Sequence, residues 1–228
     1  MGYSINVPEL ANVMKETFEP GKIDFILFDA CMMGTAEVCY EFKDVTKHCV
    51  ASVLETPLYG FPYALFFPTL YAPNVDYHQI CSRFIQFNES SGTWGTVAAV
   101  DCSQMDNLAA CVKDNLLKYR YEVNHLNYTN IQQYGKSLYR YFSFDVIDLF
   151  KSLNNGVVPE DLQRVMNEVV IAKDCLEKSG TPNFQGIPKD RFCGIGMYLP
   201  NLGIKANWDA YYPSLAWYDA VGWSSIKE

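Results

Sequence analysis

The chain has 228 residues, of which 49% are hydrophobic and 15% aromatic, enough apolar material for one α/β domain with a sizeable core. Its formal net charge of −8 disfavours binding to nucleic acids and to anionic membrane surfaces, which are themselves negatively charged. No apolar run approaches the ~18 residues of a membrane-spanning helix, so no membrane span is predicted.

A helix and a buried strand are the first predicted elements. Residues 3–18 start with a capping pattern, Asn6 followed by Glu9, and continue with apolar residues at helical spacing. Residues 19–21, Glu-Pro-Gly, end this helix. Ile23 to Phe28 is then a nearly continuous apolar run, typical of a strand buried on both faces of a parallel sheet. Because a doubly wound sheet normally carries strands before such a unit, the chain is predicted to lack the N-terminal strands of its sheet.

The buried strand leads to a cysteine in front of a second helix. Gly34 allows a sharp turn, and residues 35–45 have helical spacing. Asp29 and Cys31 therefore lie between the C-terminal end of a strand and the start of a helix, where ligands bind in open α/β folds. Two structural alternatives stay open: Cys31 is an inert buried cysteine, or Asp29 is only the cap of the following helix.

Strands and helices alternate along the rest of the chain. Helices are predicted from a cap at Asp101 or Ser103 to about Tyr121, from Pro159 to about Glu177, from a cap at Asn207, and over residues 76–87 and 144–153. Strands are predicted at 48–53, 95–100 and 194–199, and residues 122–140 are predicted to be irregular. The whole chain, 1–228, is expected to be a single domain, with a cysteine-bearing half at 1–120 and a helical and C-terminal strand portion at 121–228.

The turn sequence resembles a known nucleophile motif. Asp29-Ala-Cys31-Met-Met-Gly34, followed by Glu37-Val-Cys-Tyr-Glu41, is similar to the motif of clostripain-like cysteine peptidases. Later landmarks occur in the family's order: Val50-Ala-Ser52, Gly60-Phe-Pro-Tyr63, Phe144-Asp145 with Leu149, residues 194–200, and Trp217 with Gly222-Trp223. The resemblance implies a caspase-like α/β fold, a three-layer α/β/α sandwich with a mostly parallel central sheet.

The resemblance also implies roles for individual residues. Cys31 would be the nucleophile, with its own N–H in the oxyanion hole, and Asp29 would face a basic P1 side chain of a peptide or protein substrate. In the loop 54–62, Glu55 and Tyr59 are candidates to line the specificity pocket. Many family members carry more acidic character in this loop, whereas Thr-Pro-Leu-Tyr precedes Gly60 here.

Other polar residues are assigned less specific roles. Glu37 and Glu41 are one helical turn apart and are predicted to form a solvated or ion-paired face rather than a general acid pair. The eight cysteines include no CxxC pair and no zinc-finger spacing with histidine, so no metal site and few or no disulfides are predicted. No cofactor is predicted; the resemblance allows a calcium requirement, but no motif supports it.

The histidines depart from the family pattern. The family's catalytic histidine lies in a His-Gly pair upstream of the cysteine, and none of the 30 residues before Cys31 is a histidine. A parallel strand starting near His48 would place that residue roughly 20 Å from Cys31, at ~3.3 Å per residue. Proton transfer needs ~3 Å. His78 and His125 lie in helical patterns and are predicted to be surface residues.

Two hypotheses follow for the missing base. Family members can be cut between their histidine and cysteine segments, so the base would lie on a light chain or on an absent upstream segment. Alternatively, the chain is an inactive, truncated or vestigial peptidase-fold protein that acts in binding. An open strand edge beside residues 23–28 would predict a bound light chain or a homodimer. By resemblance, the protein is expected to be extracellular, periplasmic or at the cell surface.

Overall fold

A computed structural model describes residues 5–135, 143–182, 184–200 and 206–226. Its helices are α1 (Val7–Thr17), α2 (Ala36–Glu41), α3 (Tyr63–Leu70), α4 (Tyr77–Ser90), α5 (Met105–Lys118), α6 (Arg120–Asn124), α7 (Val146–Leu153), α8 (Glu160–Val169), α9 (Ala206–Tyr211) and α10 (Ala216–Ala220). Its strands are β1 (Ile23–Leu27), β2 (Thr46–Ala51), β3 (Thr96–Asp101), β4 (Gln133–Tyr134), β5 (Ser143–Asp145), β6 (Val170–Cys175) and β7 (Gly196–Met197).

The first helix and strand form as the local sequence predicts. The side chain of Asn6 accepts a hydrogen bond from the N–H of Glu9, and the Glu9 carboxylate accepts one from the N–H of Asn6. This reciprocal capping satisfies two of the donors left free at a helix start. The chain then enters β1, which is half-buried along most of its length.

The central sheet has the strand order β1-β2-β3-β6 and is mixed in direction. β1 and β2 are parallel, with Phe25 opposite His48. β3 is antiparallel to both β2 and β6. Two helices, α3 and α4, separate β2 from β3, and the chain re-enters the sheet at the end where β2 left it. Among the described strands, parallel pairing is therefore confined to β1 and β2, and β1 lies at one end of the sheet.

Helices cover both faces of this sheet, which confirms the three-layer α/β/α class. Because side chains alternate along a strand, Cys49 and Ala51 of β2 belong to the core under α2, α5 and α8. Val50, between them, belongs to a separate core under α4. The two apolar clusters lie on opposite sides of the sheet and hold the strand ends at fixed positions.

A small second sheet, of order β4-β5-β7, joins the central one at the cysteine turn. The N–H of Gly34 donates to the carbonyl of Ser52 at 2.8 Å, and the N–H of Gly196 donates to the carbonyl of Gly34 at 2.9 Å. A Cβ at Gly34 would lie 2.8 Å from the backbone carbon of Ser52. Glycine is therefore required here by the close approach of two backbones.

The second half of the chain differs from the predicted elements in one main respect. The predicted helix from Pro159 to about Glu177 is wrong after Val169, where the chain continues as β6. β-branched residues 169–171 favour a strand, and pairing with β3 decides the outcome. β6 belongs to the portion at 121–228, and its partner β3 belongs to the portion at 1–120.

Several boundaries also differ. Asp101 caps a 3-10 turn at 102–104, and the predicted long helix is two helices, α5 and α6. Asn207 is not a cap, because α9 begins at Ala206. The predicted strand 194–199 is reduced to β7. The predicted irregular region, 122–140, contains β4, and its residues 136–140 lie outside the described residues.

Candidate active site

Cys31 lies on the turn after β1, with its side chain exposed. The other seven cysteines are buried, and all eight are free thiols. The loop that follows β2 holds the turn in place: the N–H of Thr56 donates to the Cys31 sulfur at 3.4 Å, and the Thr56 hydroxyl donates to the carbonyl of Ala30 at 3.2 Å. The sulfur is therefore accessible to a ligand yet fixed by backbone contacts.

The residue after the cysteine has an uncommon backbone conformation. Met32 has φ of +60° although it is not glycine, and its side chain is 7% exposed. A left-handed conformation costs an L-residue about 1–2 kcal/mol, so burial of the side chain has to compensate. The N–H of Met32 donates to the carbonyl of Leu54 at 3.0 Å. Within the described parts of the chain, the N–H of Cys31 itself has no hydrogen-bond partner.

Asp29 points towards the loop after β2, not towards α2. One carboxylate oxygen accepts from the N–H of Phe61 at 3.2 Å, and the other accepts from the hydroxyl of Tyr63 at 3.0 Å. Partial burial and the neighbouring carboxylate raise the pKa of Tyr63 to about 12, so Tyr63 stays a neutral donor at physiological pH. α2 is capped by Thr35 instead, which answers the alternative that Asp29 serves as its cap.

A glycine next to this carboxylate leaves room for it. Gly60 has φ of +68°, and a Cβ built there would lie 2.4 Å from a carboxylate oxygen of Asp29. Neither the backbone angle nor the space suits another residue. The sequence motif containing Gly60 and Tyr63 was visible in the chain, but only the structure shows that both residues hold Asp29.

Cys31 and Asp29 share a cavity of about 280 Å³. The other residues that line it are Ala30 and the loop segment 56–60. Asp29 is the one charged residue among them. The cavity thus offers a single carboxylate next to an exposed thiol, an arrangement that suits a ligand with one positive charge.

The two other candidates of this loop differ in position. Tyr59 lines the cavity, and its hydroxyl donates to the side-chain oxygen of Asn88 at 3.0 Å and lies 2.7 Å from the hydroxyl of Thr93. Glu55 is buried, and its side chain lines neither this cavity nor the larger one described below. Its carbonyl accepts from the Trp94 indole N–H at 2.8 Å.

A second cavity of about 410 Å³ lies on the other side of Cys31. Its walls are mostly apolar and come from α1, the cysteine turn, α2 and the C-terminal segment; they include Met32, Met33, Trp208 and Leu215. This cavity continues from Cys31 towards the N-terminal helix.

Glu37 and Glu41 of α2 are among the residues that line this second cavity. The expectation that they form a solvated face is wrong, because both are buried. One oxygen of Glu37 accepts from the N–H of Tyr198 at 2.8 Å and from the hydroxyl of Tyr212 at 2.7 Å. Glu41 accepts from the N–H of Ala216 at 2.7 Å. Burial raises the pKa of Glu37 above its ordinary value. The two carboxyls thus fasten the C-terminal segment to α2.

None of the three histidines lines either cavity, and all three are described. His48 pairs with Phe25, six residues before Cys31, and its Nδ1 lies 3.0 Å from both the carbonyl of Asp24 and the hydroxyl of Tyr77. His78 and His125 are exposed on helical segments. The structure therefore brings no histidine to Cys31.

Neither a metal-binding cluster nor a membrane-spanning helix is found among the described residues. No group of three or more histidine, cysteine, aspartate or glutamate side chains is placed to hold a metal ion there. None of the helices within those residues has both the length and the apolar character needed to cross a membrane.

Comparisons with known proteins point to one family. The sequence matches the model of the clostripain family over residues 2–228. A clostripain from Bacteroides thetaiotaomicron ATCC 29148, solved in complex with the peptide inhibitor BTN-VLTK-AOMK, has 28% identity and a TM-score of 0.78, with 96% of this chain and 95% of that chain covered. A B. fragilis cysteine protease has 19% identity and a TM-score of 0.84, with 98% and 97% covered, and supports the fold alone.

A third relative is longer than this chain. A secreted C11 cysteine protease from Bacteroides thetaiotaomicron, "iotapain", has 28% identity and a TM-score of 0.77; the match covers 96% of this chain but 61% of that one. No curated protein matches the sequence.

Proposed function

The chain belongs to the clostripain family, and from this premise we propose that it is the nucleophile-bearing part of a cysteine endopeptidase that cuts polypeptides after lysine or arginine. One observation carries the proposal: an exposed cysteine and a single carboxylate, Asp29, line the same cavity. The family supplies the reaction class, and this cavity supplies the argument for a cationic substrate side chain.

In the proposed reaction, the Cys31 sulfur attacks the carbonyl carbon of the scissile peptide bond. The general base takes the proton of the thiol and gives it to the leaving amine as the bond to the amine breaks, and a thioester joins the acyl part to Cys31. Water then cleaves the thioester and restores the thiol. The N–H of Cys31 has no partner among the described residues, which supports a role in binding the oxyanion of the tetrahedral intermediate, since that role needs a free donor next to the nucleophile.

Substrate recognition is assigned to the smaller cavity. Asp29 would pair with the lysine or arginine side chain, while Phe61 and Tyr63 hold its carboxylate in place. Tyr59 would form the wall that, in many family members, has more acidic character. The peptide of the inhibitor bound to the B. thetaiotaomicron clostripain, VLTK, also ends in a lysine. Glu55 is not part of this assignment, because its side chain does not line the cavity.

The general base would be a histidine on a segment outside these 228 residues, carried by a light chain or by an upstream part of a longer protein. Two observations support docking of that segment beside β1. The strand lies at one end of the described sheet, and the apolar second cavity lies between α1 and Cys31. A second copy of the chain is the alternative occupant of this edge. Since a relative is described as secreted, we also propose an extracellular location.

Covalent labelling of Cys31 tests the proposal. An acyloxymethyl ketone probe with lysine next to the reactive group is added to the chain alone and to the chain with the histidine-bearing segment. We expect labelling of Cys31 only with the segment, and much weaker labelling in Asp29→Asn. Asp24→Asn, which removes an exposed carboxylate on β1, is the matched control and should label normally.

Other outcomes would change the assignment. Labelling of the chain alone would place the base within these residues. Normal labelling of Asp29→Asn would remove Asp29 from substrate recognition. If the folded chain is labelled in neither case, the protein is better explained as a peptidase fold that binds partners, an explanation that the lack of a histidine at the two cavities favours.

A further inference from the structure

Helix α3 and Tyr71, the residue that ends it, present three aromatic side chains to solvent on one face. Tyr63, Phe67 and Tyr71 are 41%, 51% and 81% exposed. Their spacing of four residues places them on adjacent turns of the same face. The rings of Phe67 and Tyr71 are in contact, with centroids 5.9 Å apart. We call these three residues the aromatic stripe.

The aromatic stripe begins at the recognition carboxylate. The hydroxyl of Tyr63 donates to Asp29, and Leu58, which is fully exposed, lines the same cavity as Asp29 and Cys31. Exposed aromatic side chains that adjoin a binding cavity are typical of interaction sites, since their burial by a ligand is favourable and costs little side-chain entropy. The stripe is therefore an extension of the cavity and not an isolated patch.

We propose that the aromatic stripe is a second recognition site for the polypeptide substrate, which binds an apolar or aromatic side chain near the basic residue. This inference rests on the proposed function. An occupant that covers both Asp29 and the stripe must carry a positive charge and an apolar group close together, as a peptide segment can. The net charge of −8 disfavours the two other occupants of an apolar face, an anionic lipid surface and a second copy of this chain.

The geometry of the helix predicts the spacing in the substrate. A rise of ~1.5 Å per residue places Phe67 about 6 Å and Tyr71 about 12 Å along the helix from Tyr63. An extended peptide advances ~3.3 Å per residue. The apolar side chain should therefore lie about two to four positions from the lysine or arginine.

Peptide binding to Cys31→Ala, which cannot turn over substrate, tests the inference. Two fluorescent peptides are compared by anisotropy: one has a single lysine among alanines and polar residues, and the other has phenylalanine three positions from that lysine, on either side in separate versions. We expect one version of the phenylalanine peptide to bind about tenfold more tightly. In the background of Phe67→Ala with Tyr71→Ala this gain should disappear, while binding of the lysine-only peptide stays unchanged.

Leu65→Ala is the matched control. Leu65 is 47% exposed on the same helix but two residues from Phe67, so it faces a different direction. Leu65→Ala should keep the full gain in affinity for the phenylalanine peptide. Because all three side chains are substantially exposed, the variants should fold, which circular dichroism verifies.

The outcomes separate this inference from the proposed function. If neither peptide binds to Cys31→Ala, alone or with the histidine-bearing segment, both are overturned. The proposed function stands if the lysine peptide binds and Asp29→Asn abolishes its binding. The inference fails in that case if phenylalanine does not increase the affinity. It also fails if Leu65→Ala removes as much of the gain as Phe67→Ala with Tyr71→Ala. If Phe67→Ala dissolves a dimer detected by sedimentation, the stripe belongs to an interface between two copies and the inference also fails.

Discussion

Replacing Gly60 by alanine should separate the contribution of Asp29 from that of the fold. The substitution has two consequences. Alanine at φ of +68° is strained by about 1–2 kcal/mol, the cost of a left-handed conformation for an L-residue. Its Cβ would also lie 2.4 Å from the Asp29 carboxylate, which must move away from its two donors. Gly60→Ala should therefore lower both stability and affinity for basic peptides.

Gly156→Ala isolates the backbone part of the effect. Gly156 has φ of +85°, and nothing lies within 4 Å of the position of its Cβ. Gly156→Ala should lose about 1–2 kcal/mol in the free energy of unfolding, measured by urea denaturation, and Gly60→Ala should lose at least as much. Only Gly60→Ala should weaken binding of the lysine peptide to Cys31→Ala, because only this change displaces a carboxylate.

The size of the affinity loss follows from the charge. A hydrogen-bonded interaction with a charged group contributes about 1.5–3 kcal/mol, which corresponds to roughly a ten- to hundredfold change in Kd. Asp29→Asn should cause a loss of similar size, and the two substitutions combined should not add. If Gly60→Ala binds the lysine peptide as tightly as the parent, or if Gly156→Ala weakens it equally, the assignment of Asp29 is refuted.

Three further predictions concern reactivity, pH and packing. Iodoacetamide should modify Cys31 first in the native chain, because the other cysteines are buried and burial raises the thiol pKa of several of them. Peptide mapping gives the order of modification, and another cysteine modified equally fast would contradict this prediction. The raised pKa of Glu37 means that its stabilising contribution is complete below its ordinary value of 4.5 and is lost as pH rises through the folded-state pKa. Glu37→Gln, which keeps an acceptor oxygen, should therefore gain stability relative to the parent between acid and neutral pH in urea unfolding, and a relative loss would refute it. Gly34→Ala should destabilise by about 1–3 kcal/mol through its contact with the β2 backbone. An unchanged free energy of unfolding in urea would contradict this contact.

Local patterns predicted the elements whose stabilising contacts are close in sequence. The bonds of the capping box at α1 join residues three positions apart, and the turn from β1 to α2 follows from a short apolar run and one glycine. The alternation of strands and helices predicted an α/β fold, and the resemblance to the clostripain-like motif implied its three layers. These features depend on backbone conformation and on neighbours within one or two turns, which a single sequence displays directly.

Contacts between segments far apart in the sequence decided the features that local patterns did not predict. Glu37 was predicted to face solvent because its partner Tyr198 lies 161 residues away. β6 was predicted as helix because its pairing with β3 cannot be recognised from its own residues. In the same way, Tyr63, whose hydroxyl donates to Asp29, lies 34 positions later in the chain.

The sequence by itself determined that an aspartate and a cysteine follow a buried strand, and it identified the family motif around them. Only the tertiary structure decided that Asp29 and Cys31 share one cavity, that Glu55 does not line it, and that no histidine of this chain does. The physical reason is that residue type and spacing fix local backbone geometry, whereas the direction of a loop and the burial of a side chain depend on which distant surfaces pack together.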